Sequence, residues 1–403
     1  MYLVEQHIIT VNDKRYKDLD RICFLSKNLY NVALYTIKQE FLNTGKWIRA
    51  VDLNKKMVAE NNIDYRAMSG SSSQQILMAL DKNLKSYFSA IKAWKRDNKK
   101  FTGCPKFPKY KHKTKGRNVF SYSYAQFKHR GDFIYFPKKE GLSPLRTNCK
   151  EGTVKQVRFV PKSDCYVIEV IYESIVKKQL DDNNRIMSID LGVNNLASIV
   201  TNVSNKPILI DGRRLKSINQ YYNKKRSDIQ QQLKKVNGKE NSRRLMSLTR
   251  RRNNKVKDYL HKASKEIINT CLKEDITTLI VGHNDGWKQN VSLGKRNNQN
   301  FVSIPFEMFI SMLRYKSERQ GLRFVEVNES HTSKCSSFDL EPVCHHDTYV
   351  GRRVRRGLFK TRDGILINAD INGSYNIMRK VKGDAAMPLH TGFGYNPVKK
   401  FIN

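Results

Sequence analysis

The excess of basic residues is the feature that most constrains how this chain can fold. Its 403 residues include 75 Lys or Arg and 37 Asp or Glu, which gives a formal charge of +38. Such a charge repels itself in a compact state, so we expect the basic residues to line surfaces that bind a polyanion. Nucleic acid is the leading candidate. An anionic membrane surface is the alternative, but basic membrane anchors are short segments, and here the charge runs through the whole chain.

Length and composition narrow the class of protein further. The length predicts two or three domains at about 150 residues each, and a hydrophobic content of 39% argues against wholesale disorder. No apolar run approaches the roughly 20 residues of a membrane span, and the N-terminus lacks the pattern of a secretory signal. The seven cysteines are odd in number and widely spaced, which argues against a disulfide framework and favours a reducing cytoplasm.

Hydrophobic periodicity in the first half of the chain predicts strands around a helical part. A strand is expected at 2–11 and helices at 16–41 and 74–97, with the serine-rich run 69–75 as a loop before the second helix. Four alternating segments then indicate a small β-barrel. These segments are 119–127, 132–137, 153–160 and 165–173.

The second half alternates strands and helices, which predicts an α/β domain with a central mixed sheet. Apolar strands are expected at 185–202 (two strands around a turn), 276–281 and 322–328. Long helices are expected at 215–236 and 241–272, and a shorter one at 306–320.

Two basic segments are candidates for binding nucleic acid. Six Lys or Arg lie between Lys106 and Arg117, interleaved with aromatic residues, a mixture suited to phosphate contacts and base stacking. Sixteen Lys or Arg and two acidic residues lie between Arg213 and Lys257, which favours a helical hairpin that follows phosphates over a merely solvated face. The candidate residues are Lys106, Lys109, Lys111, Lys113, Arg117, Arg243, Arg244, Arg250, Arg251 and Arg252.

A few carboxylates lie where the strands of a sheet could bring them close together. Asp190 lies inside the apolar strand MSIDLG, and a carboxylate buried there needs a partner. Asp370 lies in NADINGSYNI, predicted as a polar turn leading into a short helix, and Glu326 and Glu329 end the strand VEVNES. Carboxylates at the ends of adjacent strands can hold two Mg²⁺ ions about 4 Å apart, and such a pair supports phosphodiester hydrolysis. Each acid taken alone favours a structural role, and the case for a metal site rests on the buried acid of IDLG together with the downstream D-x-N-G-x-x-N.

These motifs resemble a known family. IDLGVNNLAS and NADINGSYNI resemble the first and third motifs of the RuvC-like nuclease domain of TnpB proteins, transposon-encoded RNA-guided DNA endonucleases similar to type V CRISPR effectors. RICFLSKNLYNVAL resembles the start of the family's recognition helices, and PKFPKYKHKTKGRNVFSY its wedge segment. SRRLMSLTRRRNNKVKDYLH resembles the helices inserted in RuvC, and HTSKCS the entry to the target-nucleic-acid-binding segment.

The resemblance implies a domain organisation. The fold would combine an RNase H-like RuvC domain with an oligonucleotide-binding-like β-barrel wedge and a helical recognition domain. The first wedge strand would occupy 1–15, the recognition domain 16–102, the wedge barrel 103–182 and the RuvC-like domain 183–403. The last would contain the basic hairpin 213–272 and a target-nucleic-acid-binding insert at about 332–366.

The resemblance also implies an activity. The protein would be an RNA-guided DNA endonuclease of an insertion sequence that cuts next to a short transposon-adjacent motif. A guide RNA from the transposon end and target double-stranded DNA would be its partners, with no membrane and no required oligomer, in the bacterial cytoplasm at the nucleoid. Asp190, Glu329 and Asp370 would hold two Mg²⁺ ions. The alternatives are a nuclease-inactive RNA-guided DNA-binding repressor and a guide-independent transposase accessory protein.

Two departures from the family pattern matter. The family has Glu at the end of the second-motif strand, where this chain has Gly282 in TLIVGHNDGW. We expect Glu329 to replace it, with Glu326 second and Asp285 third. The family's zinc ribbon has C-x-x-C twice. This chain has only KCSSFD and PVCHHD, so Cys335, Cys344 and one of His345 or His346 would make three ligands, and the sequence predicts no structural zinc site.

Overall fold

The computed structural model describes residues 1–284, 303–387 and 397–402. The chain divides into two compact units, Met1–Ser174 and Ile175–Asn403. Helices and strands occur in both units, so the prediction of a mixed α/β chain is confirmed. None of the helices in the described ranges is both long enough and apolar enough to cross a membrane. The assignment of segments to recognition, wedge and nuclease domains stays a prediction.

The first unit packs four helices against an antiparallel sheet. The helices are α1 (Tyr16–Thr44), α2 (Ala50–Ala59), α3 (Ile63–Arg66) and α4 (Gly70–Arg96). The strands are β1 (Tyr2–Ile9), β2 (Phe120–Ser123), β3 (Lys128–Arg130), β4 (Phe133–Tyr135), β5 (Leu145–Arg146), β6 (Val154–Pro161) and β7 (Tyr166–Glu173). One continuous apolar core joins the inner faces of α1 and α4 to β2, β6 and β7.

The closed wedge barrel is not confirmed. The described strands form two separate sheets, one of four strands in the order β1-β7-β6-β2 and one of three in the order β3-β4-β5. Strand β2 has only four residues and runs into a 3-10 turn at Tyr124–Gln126. The short strands that follow this turn pair with one another and not with the larger sheet.

The serine-rich run expected as a loop is instead the first part of α4, so that prediction is wrong. Ser72 and Ser73 are fully buried in the helix. The Ser72 hydroxyl donates to the carbonyl of Ser121 at 3.1 Å, and the Ser73 hydroxyl donates to the carbonyl of Tyr65 at 2.9 Å. Small hydroxyls allow the helix to approach its neighbours closely, a contact that a search for apolar periodicity does not detect.

The second unit is built around a six-stranded mixed sheet. Its strands are β8 (Ile186–Leu191), β9 (Asn195–Thr201), β10 (Ile208–Asp211), β11 (Thr278–Gly282), β12 (Arg323–Val327) and, near the C-terminus, β16 (Val398–Lys400), in the order β12-β11-β8-β9-β10-β16. Strands β8, β9 and β10 are antiparallel neighbours, whereas β11 and β12 run parallel to β8. The first five of these strands have the order and directions expected of an RNase H-like sheet.

Helices cover both faces of this sheet. They are α5 (Arg213–Asn237), α6 (Arg243–Lys273), α7 (Phe306–Gln320) and α8 (Ala369–Lys382). Apolar residues of α6 and α7 pack on one face, with Met187 and Leu279 among the strand residues they cover. The other face carries Ile186 and Ile280, which pack against α8. Because side chains alternate along a strand, the two cores use alternate residues of the same strands.

A small insert precedes α8 and is tied to it by buried polar groups. It contains β13 (Arg352–Arg355), β14 (Leu358–Lys360) and β15 (Leu366–Asn368), an antiparallel sheet in that order. The buried carboxylate of Glu341 accepts from the backbone amides of Ser336 at 2.6 Å and Val350 at 2.9 Å. Asn372 of α8 accepts from the amide of Ser337 at 2.9 Å and donates to the carbonyl of Cys335 at 2.8 Å.

We predict that Glu341→Ala destabilises this insert. The substitution leaves the buried amide of Ser336 and the half-buried amide of Val350 without an acceptor, and each such loss costs roughly 1–3 kcal/mol. The free energy of unfolding from urea denaturation should therefore fall by about 2–5 kcal/mol. Asp363→Ala, which removes an exposed acid of the same insert, is the control and should change stability by less than about 0.5 kcal/mol. Equal stability of the two variants would contradict this account.

Candidate metal centre and basic surfaces

Asp190 lies near the end of β8, beneath helix α8. It pairs with Ser198 of β9, and its strand neighbours Ile189 and Leu191 are buried. A Cβ atom at Gly373 of α8 would lie 2.9 Å from Asp190 Oδ2. Only a residue without a side chain at position 373 lets the helix approach the carboxylate this closely.

Asp370 stands one turn before Gly373 on the same face of α8. It lies inside the helix and not in the turn that the sequence predicted. The turn residue is Asn368, which caps the helix by accepting from the amide of Asp370 at 3.0 Å. The two carboxylate oxygens of Asp370 have different partners: Asn195 Nδ2 donates to Oδ2 at 2.8 Å, and Arg353 Nη2 lies 3.4 Å from Oδ1.

Glu329 lies beside the position where the family pattern expects a glutamate. Strand β11 ends at Gly282, and Glu329 follows the end of the adjacent strand β12. A Cβ atom at Gly282 would collide with Ile377 Cδ1 of α8 and would lie 3.4 Å from the Cβ atom of Glu329. The Cβ atom of Glu329 therefore lies in van der Waals contact with the position that a Cβ atom at residue 282 would occupy.

Two residues fix the loop that carries Glu329. Asn284 accepts from the amide of Glu329 at 3.1 Å and donates to its Oε1 at 3.3 Å. Lys380 of α8 donates to the carbonyls of Asn328 at 3.0 Å and Ser330 at 2.7 Å, one on each side of Glu329. The second carboxylate oxygen, Oε2, is buried and makes no hydrogen bond to the described residues.

The electrostatics of this cluster favour a cation. Burial raises the pKa of Asp190 well above its usual range, and the carboxylates of Glu329 and Asp370 raise it further. Burial also raises the pKa of Glu329, an effect that His283 and Lys380 oppose. An unpartnered carboxylate oxygen such as Glu329 Oε2 suits a hard divalent ion with oxygen ligands. Within 1–284, 303–387 and 397–402, however, no group of three or more acidic, His or Cys side chains is arranged to hold a metal ion.

Glu326 and Asp285 are the other two acids that the sequence offers as the third carboxylate. Glu326 pairs with Arg314 of α7 and is exposed on the outer strand of the sheet. A partnered surface acid of this kind has an ordinary structural explanation. Asp285 lies outside the described residues.

In the first unit, helix α1 holds the basic segment 103–118. Side chains of Lys27, Tyr30 and Asn31 donate to backbone carbonyls of the segment. Four candidate lysines remain exposed: Lys106, Lys109, Lys111 and Lys113. Arg117 differs, because its guanidinium binds Asp20 at 2.7 Å and stacks on Phe24.

The hairpin of α5 and α6 also divides into exposed and structural cations. Three candidates are exposed: Arg243, Arg244 and Arg251. Arg250 is half-buried. Arg252 donates to Asn219 at 2.8 Å and to the carbonyl of Ser303 at 2.6 Å, and burial lowers its pKa. The three exposed arginines are thus positioned to bind a ligand, while Arg252 joins elements of the fold.

Sequence reasoning missed four residues of the centre. Asn195 lies within the IDLGVNNLAS motif, so proximity to Asp190 in sequence could have indicated it. Asn284, Arg353 and Lys380 carry no local signal, because each reaches the carboxylates only through contacts between distant segments.

We predict that Asp190→Asn raises stability at neutral pH in the absence of metal. A raised carboxyl pKa means that the folded state holds its proton to a higher pH than the unfolded state does. Stability therefore falls as the pH rises from the unfolded pKa to the folded pKa. The Asn variant lacks this slope, so its advantage in melting temperature should shrink as the pH falls toward 4.

Adding Mg²⁺ should make the wild type more stable than Asp190→Asn. At about a hundred times its Kd, a bound ion adds about 2.7 kcal/mol to the native protein, and Asp190→Asn should lose most of that gain. The control is Asp363→Asn, which should follow the wild type in both titrations. If the melting temperature of the wild type changes with neither pH nor Mg²⁺, the result would argue against a carboxylate centre.

Two family models match segments that contain the candidate carboxylates. The model OrfB_IS605, described as a probable transposase, matches residues 166–288. The model described as Cas12f1-like, TNB domain, matches residues 306–377. The first match includes Asp190, and the second includes Glu329 and Asp370.

Individual proteins are similar over much of the chain. A TnpB-like protein of Acidianus two-tailed virus is 23% identical over 92% of this chain and 85% of its own length. A TnpB-like protein of Methanocaldococcus jannaschii is 29% identical over 57% of this chain and 80% of its own length. Among solved structures, the mini-RNA-guided endonuclease CRISPR-Cas_phi3 matches with a TM-score of 0.47 and 11% identity, over 96% of this chain and 93% of that chain. The family models and the two TnpB-like relatives agree, and together they support a resemblance of this chain to TnpB proteins.

Proposed function

We propose that this protein is an RNA-guided DNA endonuclease that hydrolyses phosphodiesters at Asp190, Glu329 and Asp370. The observation that carries the proposal is the position of Glu329. Its Cβ atom lies 3.4 Å from where a Cβ atom at Gly282 would lie, so the acid missing from the end of β11 has a substitute on the next strand. Without this substitute, the two remaining aspartates would form an incomplete centre.

The residues around the centre have separable tasks. Asp190, Glu329 and Asp370 would hold Mg²⁺, which when bound activates a water and stabilises the leaving oxygen. Asn195 fixes one oxygen of Asp370, and Asn284 fixes one oxygen of Glu329. Asp370 and Glu329 therefore each have a defined orientation before any ligand arrives, which lowers the cost of assembling the reactive geometry.

The partners follow from the charge and from the family. A guide RNA from the transposon end and a target DNA duplex would contact the exposed lysines of 103–118 and the exposed arginines of α6, mainly through phosphates. Base pairing between guide and target would supply sequence specificity, with a short transposon-adjacent motif read by the protein. The two relatives described as TnpB-like support the resemblance from which this set of partners is inferred.

A repressor that binds but does not cut is the second candidate, and Gly282 is the observation that favours it. A guide-independent transposase accessory protein is the third. Cleavage assays with and without guide RNA separate the three. An endonuclease would cut target DNA only with a guide RNA. A repressor would bind target DNA with a guide RNA but would not cut it. An accessory protein would bind DNA equally with and without a guide RNA.

We predict that Asp190→Asn, Glu329→Gln and Asp370→Asn each reduce target cleavage at least about a thousandfold, because each removes a charged ligand from a metal-dependent reaction. Affinity for guide RNA should stay within about twofold. The measurement is the single-turnover cleavage rate with Mg²⁺. The matched control is Glu326→Gln, which removes a glutamate of strand β12 that pairs with Arg314, and it should cut at nearly the wild-type rate.

A relocation experiment tests the role of Glu329 more sharply. In the inactive Glu329→Gln background, adding Gly282→Glu returns the acid to β11, and Ile377→Val removes the Cδ1 atom that would obstruct it. Partial recovery of cleavage is the expected result. If Glu329→Gln cuts like the wild type, the assignment of Glu329 is wrong, whatever the triple variant does.

We predict that replacing Arg243, Arg244 and Arg251 together with Gln weakens guide RNA binding and lowers the salt slope of binding by about 2–3, since each phosphate contact releases a counterion. Melting temperature should stay nearly unchanged, because these side chains are exposed. Arg252→Gln should lower the melting temperature, because it loses the hydrogen bonds to Asn219 and Ser303, and should leave the salt slope nearly unchanged. A salt slope equal to that of the wild type would exclude this helix face as the RNA surface.

A further inference from the structure

The three-stranded sheet of the first unit presents aromatic and basic side chains together on one face. Lys128 of β3 lies opposite Tyr135 of β4, and Arg130 lies opposite Phe133. Arg146 of β5 lies opposite Phe133 from the other side. Directly opposed residues of antiparallel strands point to the same side of a sheet, so these five side chains share one face. All five are exposed.

We propose that this face, the aromatic platform, binds an unpaired segment of the guide RNA. Bases would stack on Phe133 and Tyr135, while the three surrounding cations contact phosphates. The two rings stand on alternate residues of β4 with their centroids 6.4 Å apart, and the residues are 41% and 43% exposed. The proposal rests on the proposed function for its guide RNA, but not on the carboxylate centre.

The opposite face of the same sheet is fixed in the core of the unit. Ile134 of β4 and Leu145 of β5 alternate with the platform residues and are buried in the apolar core. Phe133 and Tyr135 therefore stand on either side of a buried anchor on a paired strand. Because the backbone is already held, a stacked base has only side-chain rotation left to restrict, which lowers the entropic cost of binding.

The charge of the platform favours a polyanion. Arg146 pairs with Asp132 in the adjoining turn, at 3.7 Å and with both side chains largely exposed. Such a loose surface pair contributes little and opens at little cost. The three cations Lys128, Arg130 and Arg146 can therefore face a ligand, and they stand around the two rings where the phosphates of a stacked strand would pass.

The exposed rings select among polyanions. The bases of a duplex are stacked on one another, so a target DNA duplex offers this face only its phosphates. A guide RNA leaves at least its targeting segment unpaired until a target arrives, and unpaired bases stack on aromatic side chains. An anionic membrane surface also suits aromatic and basic residues together, so the experiment has to separate the two partners.

Binding of single-stranded RNA at high salt is the first test. The probe is a fluorescently labelled oligouridine of about twelve nucleotides in about 0.5 M KCl, where phosphate contacts are weakened. In the full-length protein, Phe133→Leu with Tyr135→Leu should weaken binding at least about tenfold, because two stacks are lost. Affinity for an RNA duplex of the same length should stay within about twofold. Phe133→Trp with Tyr135→Trp, which keeps both rings, should bind at least as tightly as the wild type.

The matched control is Tyr124→Leu, which removes an exposed ring outside the three-stranded sheet. It should bind the oligouridine within about twofold of the wild type. Replacing Lys128, Arg130 and Arg146 with Gln should lower the salt slope by about 2, whereas the double leucine variant should keep the wild-type slope. If the double leucine variant binds the oligouridine as tightly as Tyr124→Leu does, bases do not stack on the platform and the proposal is wrong.

Sedimentation with phosphatidylserine vesicles tests the membrane alternative. The wild type and the double leucine variant should bind these vesicles equally, because the attraction of a basic protein to anionic lipid does not need the two rings. A variant that loses vesicle binding and keeps its affinity for the oligouridine would assign the platform to a membrane and overturn the proposal.

These measurements need neither Mg²⁺ nor target DNA, so they are independent of cleavage. If the wild type does not cut but binds oligouridine through Phe133 and Tyr135, the platform stands and the endonuclease proposal fails. If the wild type cuts with a guide RNA and the double leucine variant binds the probe normally, only the platform is wrong.

Discussion

The close approach of helix α8 to strand β8 is the contact on which the second unit depends. Gly373 lets the helix lie against the carboxylate of Asp190, because a Cβ atom at position 373 would lie only 2.9 Å from Asp190 Oδ2. The same helix carries Asp370 toward the cluster, binds the insert through Asn372 and Asn376, and holds the Glu329 loop through Lys380. A side chain at position 373 would press on the carboxylate of Asp190, so either the helix or that carboxylate would have to shift. Helix α8 thus connects groups that come from a strand, a loop and the insert.

This arrangement also bears on the proposal that Glu329 substitutes for an acid at position 282. The two strands β11 and β12 are parallel neighbours, and Gly282 pairs with Val327, two residues before Glu329. Ile377 of α8 fills the space that a side chain at position 282 would need. A residue two positions beyond the end of β12 can reach the same volume from the side, provided that the loop is held. Asn284 and Lys380 provide that hold, so the proposed relocation would require supporting contacts as well as a new acid.

Much of the fold could be predicted from the sequence because its signals are local. Helix α7 was predicted with the bounds Phe306–Gln320 that the structure shows, since Pro305 and Gly321 mark its ends. Four strands of the central sheet, β8, β9, β11 and β12, follow from continuous apolar runs. Helices α2 and α3 and strands β10 and β16 were missed because they are short. The barrel is not confirmed because alternation identifies strands but not their pairing partners.

The centre was harder to predict than the fold. Asp190 and Asp370 stand in recognisable motifs, and Glu329 was inferred from its place at a strand end. The supporting residues could not be predicted, because an asparagine or lysine becomes informative only when folding brings it to a carboxylate. Arg353 is the clearest case: 17 residues separate it from Asp370, and nothing in RRVRRG distinguishes it from the neighbouring arginines.

The basic segment 103–118 has a consequence for the thermodynamics of binding. Its backbone carbonyls are already bonded to Lys27, Tyr30 and Asn31 of α1 in the free protein. The conformational entropy of ordering this segment is therefore lost when the protein folds and not when a ligand arrives. A polyanion meeting these lysines has only their side chains left to immobilise. Association at this surface would resemble docking onto a rigid body, and would lack the large heat-capacity change of a segment that folds on its partner.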